Sequence, residues 1–192
     1  MNNLLLPKFK HSPILALLTF MIMLQPLSTD IYLASIPSLV EIFNVPFSKV
    51  QLTLSFFVIS FGLTQLIIGP LSDKFGRLPL LYIGLSIYIL SSFLCAIAIS
   101  IDQLIIARFL QAAGCCVAVV IGRSLVRDAF SSENSAKVMA RASSWISLAP
   151  LFGPILGSYL EVNFGWQSTF IFLATISIIF FLFVFVNCPK QT

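Results

Sequence analysis

Two ionisable residues lie deep inside apolar stretches of this 192-residue sequence, and they are the first candidates for chemistry. Asp30 lies about 25 Å along a helix that starts near Pro13, at about 1.5 Å per residue. A carboxylate at that depth is costly to keep charged, so Asp30 is predicted to take up and release a proton. The alternative is structural, with the carboxyl group bonding backbone that Pro26 has loosened.

Arg108 is the second candidate, in the stretch IARFLQAAG. A guanidinium group stays charged at physiological pH, so inside a membrane it needs an acid, a substrate anion or backbone carbonyls. Gln111 follows three residues later and lies near the same helix face. Arg108 is therefore predicted to carry charge in a cavity, and the alternative is a structural anchor held by carbonyls.

A short polar segment, GPLSDKFGR, separates two long apolar runs. Its charged residues Asp73, Lys74 and Arg77 stand out in a chain with only 9% charged residues. They are predicted to lie in water or to pair. On a helical interpretation Asp73 and Arg77 are one turn apart, so they can pair with each other.

Composition predicts the elements that position these residues. With 58% hydrophobic residues and a mean hydropathy of +1.02, the chain is predicted to be a membrane protein. The net charge of +4 comes from basic residues in short gaps, which argues against nucleic acid binding. Neither the four cysteines nor the single histidine, His11, has metal-binding or catalytic spacing, so no metal, cofactor or enzyme activity is expected.

Six runs are long enough to cross a bilayer as helices, which predicts an all-α membrane protein with one bundle over residues 13–188. The runs are 13–36, 50–71, 79–100, 104–125, 138–160 and 168–186. Tails 1–12 and 189–192 flank the bundle. Pro26 and Pro37 are expected to interrupt or end the first helix, and Pro79 to open the third.

The basic residues predict orientation. With the N-terminus inside, nine of them face the cytoplasm, and only Lys49 faces outward. These nine are Lys8, Lys10, Lys74, Arg77, Arg123, Arg127, Lys137, Arg141 and Lys190. Both termini are therefore expected to be cytoplasmic, in a multi-pass protein of the inner membrane.

The fifth run contains APLFGPILGSYL, where Pro150 and Pro154 are one turn apart and are expected to bend the helix. Gly153 and Gly157, four residues apart, form a small-residue face that allows close helix contact. Helix packing alone is the alternative explanation of this pattern.

Three ordered motifs resemble the major facilitator superfamily. GPLSDKFGR resembles the loop between helices two and three, G-x-L-[AS]-D-[RK]-x-G-R, through Gly69, Asp73, Lys74, Gly76 and Arg77. The helix-four pattern R-x-x-Q-G-x-G is matched by Arg108, Gln111 and Gly114, and the helix-five antiporter pattern G-P-x-x-G-G by Gly153, Pro154 and Gly157. With TDIYLASIP and RSLVRDAF, the chain resembles the Bcr/CflA branch of drug:proton antiporters. Leu78, Ala112 and Ser158 depart mildly from these patterns.

The resemblance implies one half of the major facilitator fold, a three-plus-three inverted repeat that exports hydrophobic drug-like molecules in exchange for protons. Asp30 would carry the proton and Arg108 would shape the field around it. Because helices one and four are equivalent in the repeat, the two residues are expected to share a central cavity. Helix five would limit leakage, and Asp128 would compete for Arg77 as a gate moves.

The family fold uses a second six-helix bundle. Three explanations are open: a truncated and inactive gene product, which is favoured, a half completed by another chain, and a homodimer. The alternative function is a small membrane interaction protein that regulates another membrane protein through its exposed bundle face. Lipid, protons and a drug-like substrate are the other expected partners.

Overall fold

A computed structural model of the protein describes residues 11–129, 136–137, 139–140, 143–144 and 146–187; of these, the side chains of 11–18, 126, 128–129 and 187 are not described. Throughout this described part the regular structure is helical, with seven helices and no strand. The helices are α1 (His11–Leu33), α2 (Ile36–Phe43), α3 (Phe47–Phe75), α4 (Arg77–Ala96), α5 (Ile101–Ala129), α6 (Ala149–Phe164) and α7 (Gln167–Asn187). The all-helical prediction is confirmed for these residues.

Four helices are long and apolar enough to cross a membrane: Phe47–Phe75, Arg77–Ala96, Ile101–Leu125 and Gln167–Val186. They overlap four of the six predicted runs. The runs 13–36 and 138–160 include residues whose side chains or backbone are not described, so these two spans stay predictions.

Proline affects the first helix less than the sequence suggested. α1 continues through Pro26 and ends at Leu33, after which Ser35 N–H donates to the Tyr32 carbonyl at 2.9 Å. α2 then begins with Pro37 in its first turn. A spanning helix tolerates an internal proline where neighbouring groups satisfy the freed backbone carbonyl, so only Pro37 marks a boundary.

The fifth run is interrupted close to the two prolines, where a bend is predicted, and residues 143, 144 and 146 before the interruption are helical. Ser147 and Leu148 form a turn, and α6 begins at Ala149 with Pro150 in its first turn. Since first-turn residues need no intrahelical N–H partner, Pro150 is accommodated at the start of α6, directly after the interruption. Pro154 alone lies within α6.

The polar segment between α3 and α4 is broken at Gly76. α3 ends at Phe75, Gly76 has φ of +86°, and α4 begins at Arg77. Glycine suits this positive φ because it has no Cβ. Asp73 and Arg77 therefore belong to different helices, so the pairing argument from helical spacing is wrong.

The central helix is α5, which packs against α4, α3 and α1, while α6 packs mainly on α1 and α7 mainly on α4. Two apolar clusters form the core. One includes Met21, Phe57, Leu85 and Phe180, and the other includes Leu39, Leu104 and Trp166. Between them along α5 lie Arg108 and Gln111, both fully buried. The core thus contains a polar layer where α1, α4 and α5 meet.

Candidate functional site

Arg108 lies at the centre of this polar layer. Its Nη1 donates to Gln111 Oε1 at 2.7 Å and to the Ser28 carbonyl oxygen at 3.2 Å. Its Nε and Nη2 are buried and have no hydrogen-bond partner among the described residues. The guanidinium is therefore bonded at one nitrogen only, partly by a backbone carbonyl as the anchor alternative supposed.

Aromatic rings cover the Arg108 guanidinium. Its Cζ lies 4.4 Å from the Tyr32 ring centroid, 4.4 Å from the Phe57 centroid and 5.7 Å from the Phe170 centroid. The Tyr32 hydroxyl is 2.7 Å from Thr53 Oγ1. Since the rings come from α1, α3 and α7, this contact depends on three helices.

A chain of hydrogen bonds extends from Gln111 into α4 and back to α1. Gln111 Nε2 donates to Ser92 Oγ at 2.7 Å, and Ser92 Oγ donates to the Tyr88 carbonyl at 2.7 Å. The Tyr88 hydroxyl is 2.6 Å from Ser28 Oγ. Together with the Arg108 bond to Ser28, these contacts tie α1, α4 and α5 into one buried network.

Gly114, the third residue of the helix-four motif, lies where α4 and α5 make their closest contact. A Cβ added at Gly114 would lie 2.6 Å from the Gly84 carbonyl oxygen and 2.6 Å from Tyr88 N. No side chain fits between the two backbones. This motif position therefore brings α4 close enough for Ser92 to reach Gln111.

Asp30 lies against α6 and not against α5. A Cβ added at Gly153 would be 2.6 Å from the Asp30 Cβ, and one added at Gly157 would overlap the Ile31 carbonyl oxygen. The Oδ2 atom of Asp30 is buried without a hydrogen-bond partner in the described part of the chain, while Oδ1 is 3.5 Å from Thr29 Oγ1. The small-residue face of α6 thus forms a close seam with α1 beside Asp30.

The expectation of a cavity shared by Asp30 and Arg108 is wrong for this conformation. Arg108 contacts α1 through Ser28 and Tyr32, which are one turn apart on one face. Asp30 is two residues beyond Ser28, which places it about 200° around the helix. The acid and the base therefore lie on opposite sides of α1.

The charged loop lies at the far end of α3. Arg77 Nη1 donates to the Ser124 carbonyl at 2.8 Å near the end of α5. Asp73 and Lys74 are exposed, and Lys74 Nζ lies 5.4 Å from the Phe75 ring centroid. Gly69, the first residue of this motif, faces open space.

The proposed contact between Asp128 and Arg77 stays a prediction, since the side chain of Asp128 is not described. Within the described residues, no three His, Cys, Asp or Glu side chains are grouped to hold a metal ion.

Of the residues around Arg108, sequence reasoning singled out Gln111 and, within TDIYLASIP, Tyr32 as a residue of the cavity or the interface. Ser28, Tyr88 and Ser92 lie in apolar runs without a motif, and Phe57 and Phe170 are two of nineteen phenylalanines. Only the three-dimensional packing of four helices distinguishes these residues from ordinary core positions.

Comparisons with known proteins identify the family. The family model described as Major Facilitator Superfamily matches residues 18–192. An uncharacterized transporter of Rickettsia bellii is 37% identical over 151 residues, covering 79% of this chain and 37% of the relative. A chloramphenicol resistance protein of Pseudomonas aeruginosa is 33% identical over 152 residues, covering 79% of this chain and 36% of the relative. A bicyclomycin resistance protein homolog of Haemophilus influenzae is 31% identical over 168 residues, covering 88% of this chain and 42% of the relative.

A solved structure has the same fold. The bacterial homolog of the human lysosomal transporter Spinster, in an inward-facing and occupied conformation, superposes with a TM-score of 0.78 at 15% identity. The match covers 93% of this chain and 44% of that one. The chain spans about two fifths of the length of the curated relatives it matches. The resemblance to the Bcr/CflA branch is confirmed, and the chain belongs to the major facilitator superfamily.

Proposed function

We propose that this chain is the membrane-embedded bundle of a proton-coupled multidrug efflux antiporter of the Bcr/CflA type. The observation that carries the proposal is the Asp30 carboxyl group, whose buried Oδ2 has no partner among the described residues. Such an oxygen is satisfied by a proton or by a ligand. When a proton replaces the bound substrate at Asp30, proton uptake is coupled to substrate release.

The substrate is a small hydrophobic molecule. The names of the relatives support this class, since they include chloramphenicol, bicyclomycin and multidrug resistance proteins. The chain crosses the inner membrane six times with both termini in the cytoplasm, as the distribution of basic residues predicts. The described helices that are long enough to span support four of these crossings.

A second six-helix bundle completes the transporter. Large apolar side chains cover the outward faces of α3 and α6, among them Val58, Leu66 and Ile67 on α3 and Phe152, Ile155 and Val162 on α6. The fold of the family places a second bundle in contact with the first. That bundle belongs to the same polypeptide, to another chain or to a second copy.

The remaining motif residues have supporting roles in this proposal. Arg108 supplies a fixed positive charge with Gln111 and Gly114 holding its surroundings. The loop with Gly69, Asp73, Lys74, Gly76 and Arg77 acts with Asp128 as the cytoplasmic gate. Pro150, Gly153, Pro154 and Gly157 keep the α1–α6 seam closed to water.

Uptake into everted membrane vesicles tests the proposal, because the outer face of such a vesicle is the former cytoplasmic face. A cationic dye or chloramphenicol is added outside vesicles that contain the chain, and its uptake is driven by an imposed proton gradient that is acidic inside. In vesicles that also contain the second bundle, we expect gradient-dependent transport that Asp30→Asn abolishes. Asp102→Asn is the matched control, because Asp102 is an exposed carboxylate paired with Lys49 at 2.9 Å.

Equal transport by the chain and by Asp30→Asn would remove Asp30 from the mechanism. No transport by either, together with co-purification of a larger membrane protein, would favour the regulatory alternative.

A further inference from the structure

Arg108 is a fully buried cation that has no counter-ion among the described residues. No described carboxylate lies within 4 Å of its guanidinium, and Asp30 faces the other side of α1. A buried charge without an opposite charge is costly unless other groups stabilise it. Two carbonyl-type acceptors at Nη1 satisfy only one of the three guanidinium nitrogens.

The aromatic rings supply the missing stabilisation. Tyr32 and Phe57 are both fully buried, and each ring centroid is 4.4 Å from Arg108 Cζ. The face of an aromatic ring carries negative electrostatic potential, and its attraction to a cation strengthens where water is excluded. The site is dry enough for this effect because Arg108 itself has no exposed surface.

We propose that Tyr32, Phe57 and Phe170 form an aromatic cage that replaces a carboxylate counter-ion for Arg108. Tyr32 and Phe57 are positioning residues: they lower the cost of burying the charged guanidinium and fix its plane so that Nη1 points to Ser28 and Gln111. The cage needs residues from α1, α3 and α7, so it also ties these helices to α5.

The cage extends the proposed function. A positive charge held by neutral rings keeps its charge when a nearby carboxylate changes protonation state. Arg108 can therefore act as a constant field during a proton cycle at Asp30, and this consequence for transport rests on the proposed function. The cage itself is a property of the folded chain and does not.

Fluorinated phenylalanines at position 57 separate electrostatic attraction from packing. One, two and three ring fluorines weaken the negative face of the ring stepwise with little change in shape. We expect the midpoint of thermal unfolding of the chain in detergent to fall stepwise along this series. The same series at Phe180 is the matched control, because Phe180 is buried in the same apolar cluster and its ring packs on Phe20, with the centroids 4.4 Å apart, and on no described cation. That series is expected to be flat.

Repeating the Phe57 series in an Arg108→Met background tests whether the slope, the fall of the thermal midpoint per added fluorine, comes from the Arg108 charge. We expect the slope to disappear there. A Phe57 series as flat as the Phe180 series, or an equal slope with and without Arg108, would overturn the cage.

Conservative variants add an independent measurement. Tyr32→Phe keeps the ring and is expected to retain most of the thermal midpoint, whereas Tyr32→Leu lowers it. Equal losses in both variants would show that the hydroxyl contact with Thr53 matters and the ring does not.

Failure of the cage and failure of the transport proposal are distinguishable. The unfolding series needs no transport, so a slope at Phe57 combined with unchanged export by Asp30→Asn would retain the cage and reject the proton role. A flat Phe57 series, combined with loss of export by Asp30→Asn, would reject the cage and retain the proton role of Asp30.

Discussion

The two sides of α1 solve the problem of a buried ionisable group in different ways. On the side of Ser28 and Tyr32, Arg108 is enclosed by hydrogen bonds and aromatic rings. On the opposite side, Asp30 meets the glycine face of α6 and its Oδ2 has no described partner. On the Arg108 side, polar and aromatic side chains make the contacts. On the Asp30 side, glycines without side chains let the backbones of α1 and α6 come close together.

This difference indicates which group is free to change state. The bonds around Arg108 link four helices, so its movement would disrupt several contacts at once. Asp30 lies at an interface between two helices, where a change in its protonation disturbs few partners. A firmly held cation and a carboxyl group with few contacts can therefore pack against opposite faces of a single helix.

The largest effect is expected at the α1–α6 seam. A Cβ in Gly157→Ala would overlap the carbonyl group and Cα of Ile31, which are backbone atoms that cannot rotate away. We expect the free energy of unfolding in detergent to fall by about 3 kcal/mol, near the upper end for overpacked cores. Gly62→Ala is the control: its Cβ would meet nothing within 4 Å, so stability should rise by up to about 1 kcal/mol. Similar values for the two variants would show that the seam is not close-packed.

The close contact between α4 and α5 at Gly114 is expected to lose somewhat less stability when a methyl group is added. Gly114→Ala places a Cβ against Gly84 and Tyr88, so α4 and α5 must separate. We expect a loss of about 2 kcal/mol in the free energy of unfolding. The separation also pulls Ser92 from Gln111, so Ser92→Ala should cost less in the Gly114→Ala background than alone. Additive losses would show that the two contacts are independent.

Removing one hydrogen bond from the network is expected to have a moderate effect. Tyr88→Phe deletes the hydroxyl that lies 2.6 Å from Ser28 Oγ, while Ser28 keeps its bond to the Leu24 carbonyl. Because no buried donor is left without an acceptor, we expect a loss of about 1 kcal/mol in the free energy of unfolding. Tyr159→Phe is the control, since Tyr159 is 61% exposed. A loss for Tyr159→Phe as large as that for Tyr88→Phe would contradict this ranking.

The smallest effect is expected outside both regions. Lys49 Nζ and Asp102 Oδ2 form an ion pair of 2.9 Å between α3 and α5, with exposed side chains. Solvent screens such pairs, so Lys49→Met should change the free energy of unfolding by about 0.5 kcal/mol. The difference should shrink further in high salt. A difference that grows with salt would exclude an ionic origin.

Much of the fold and part of the site could be predicted from the sequence. Apolar runs predicted helices that are observed, and ionisable residues in those runs identified Asp30 and Arg108. Helical periodicity also placed Gln111 beside Arg108, as the 2.7 Å bond shows. These are properties of one helix at a time, which a sequence encodes directly.

The relation between helices could not be predicted in the same way. Equivalent positions in an inverted repeat suggested one cavity, yet the rotation of α1 places Asp30 toward α6 and Ser28 toward Arg108. Nothing in the sequence distinguishes Phe57 and Phe170 from the other phenylalanines. The helical interpretation of the segment from Asp73 to Arg77 also failed, because a helix break and a helix interior can contain the same residue types.

The difference in burial between α3 and α5 has a consequence for how the gene tolerates mutation. In its apolar segment α3 has 22% of its residues buried inside the bundle, against 67% for α5. Substitutions along α3 should be limited mainly by polarity, because most of its side chains are not buried by the described bundle. Along α5 side-chain volume should be limiting, since two thirds of its apolar segment is buried against neighbouring helices. A saturation library would therefore retain apolar residues of many sizes in α3 and only narrowly sized residues in α5.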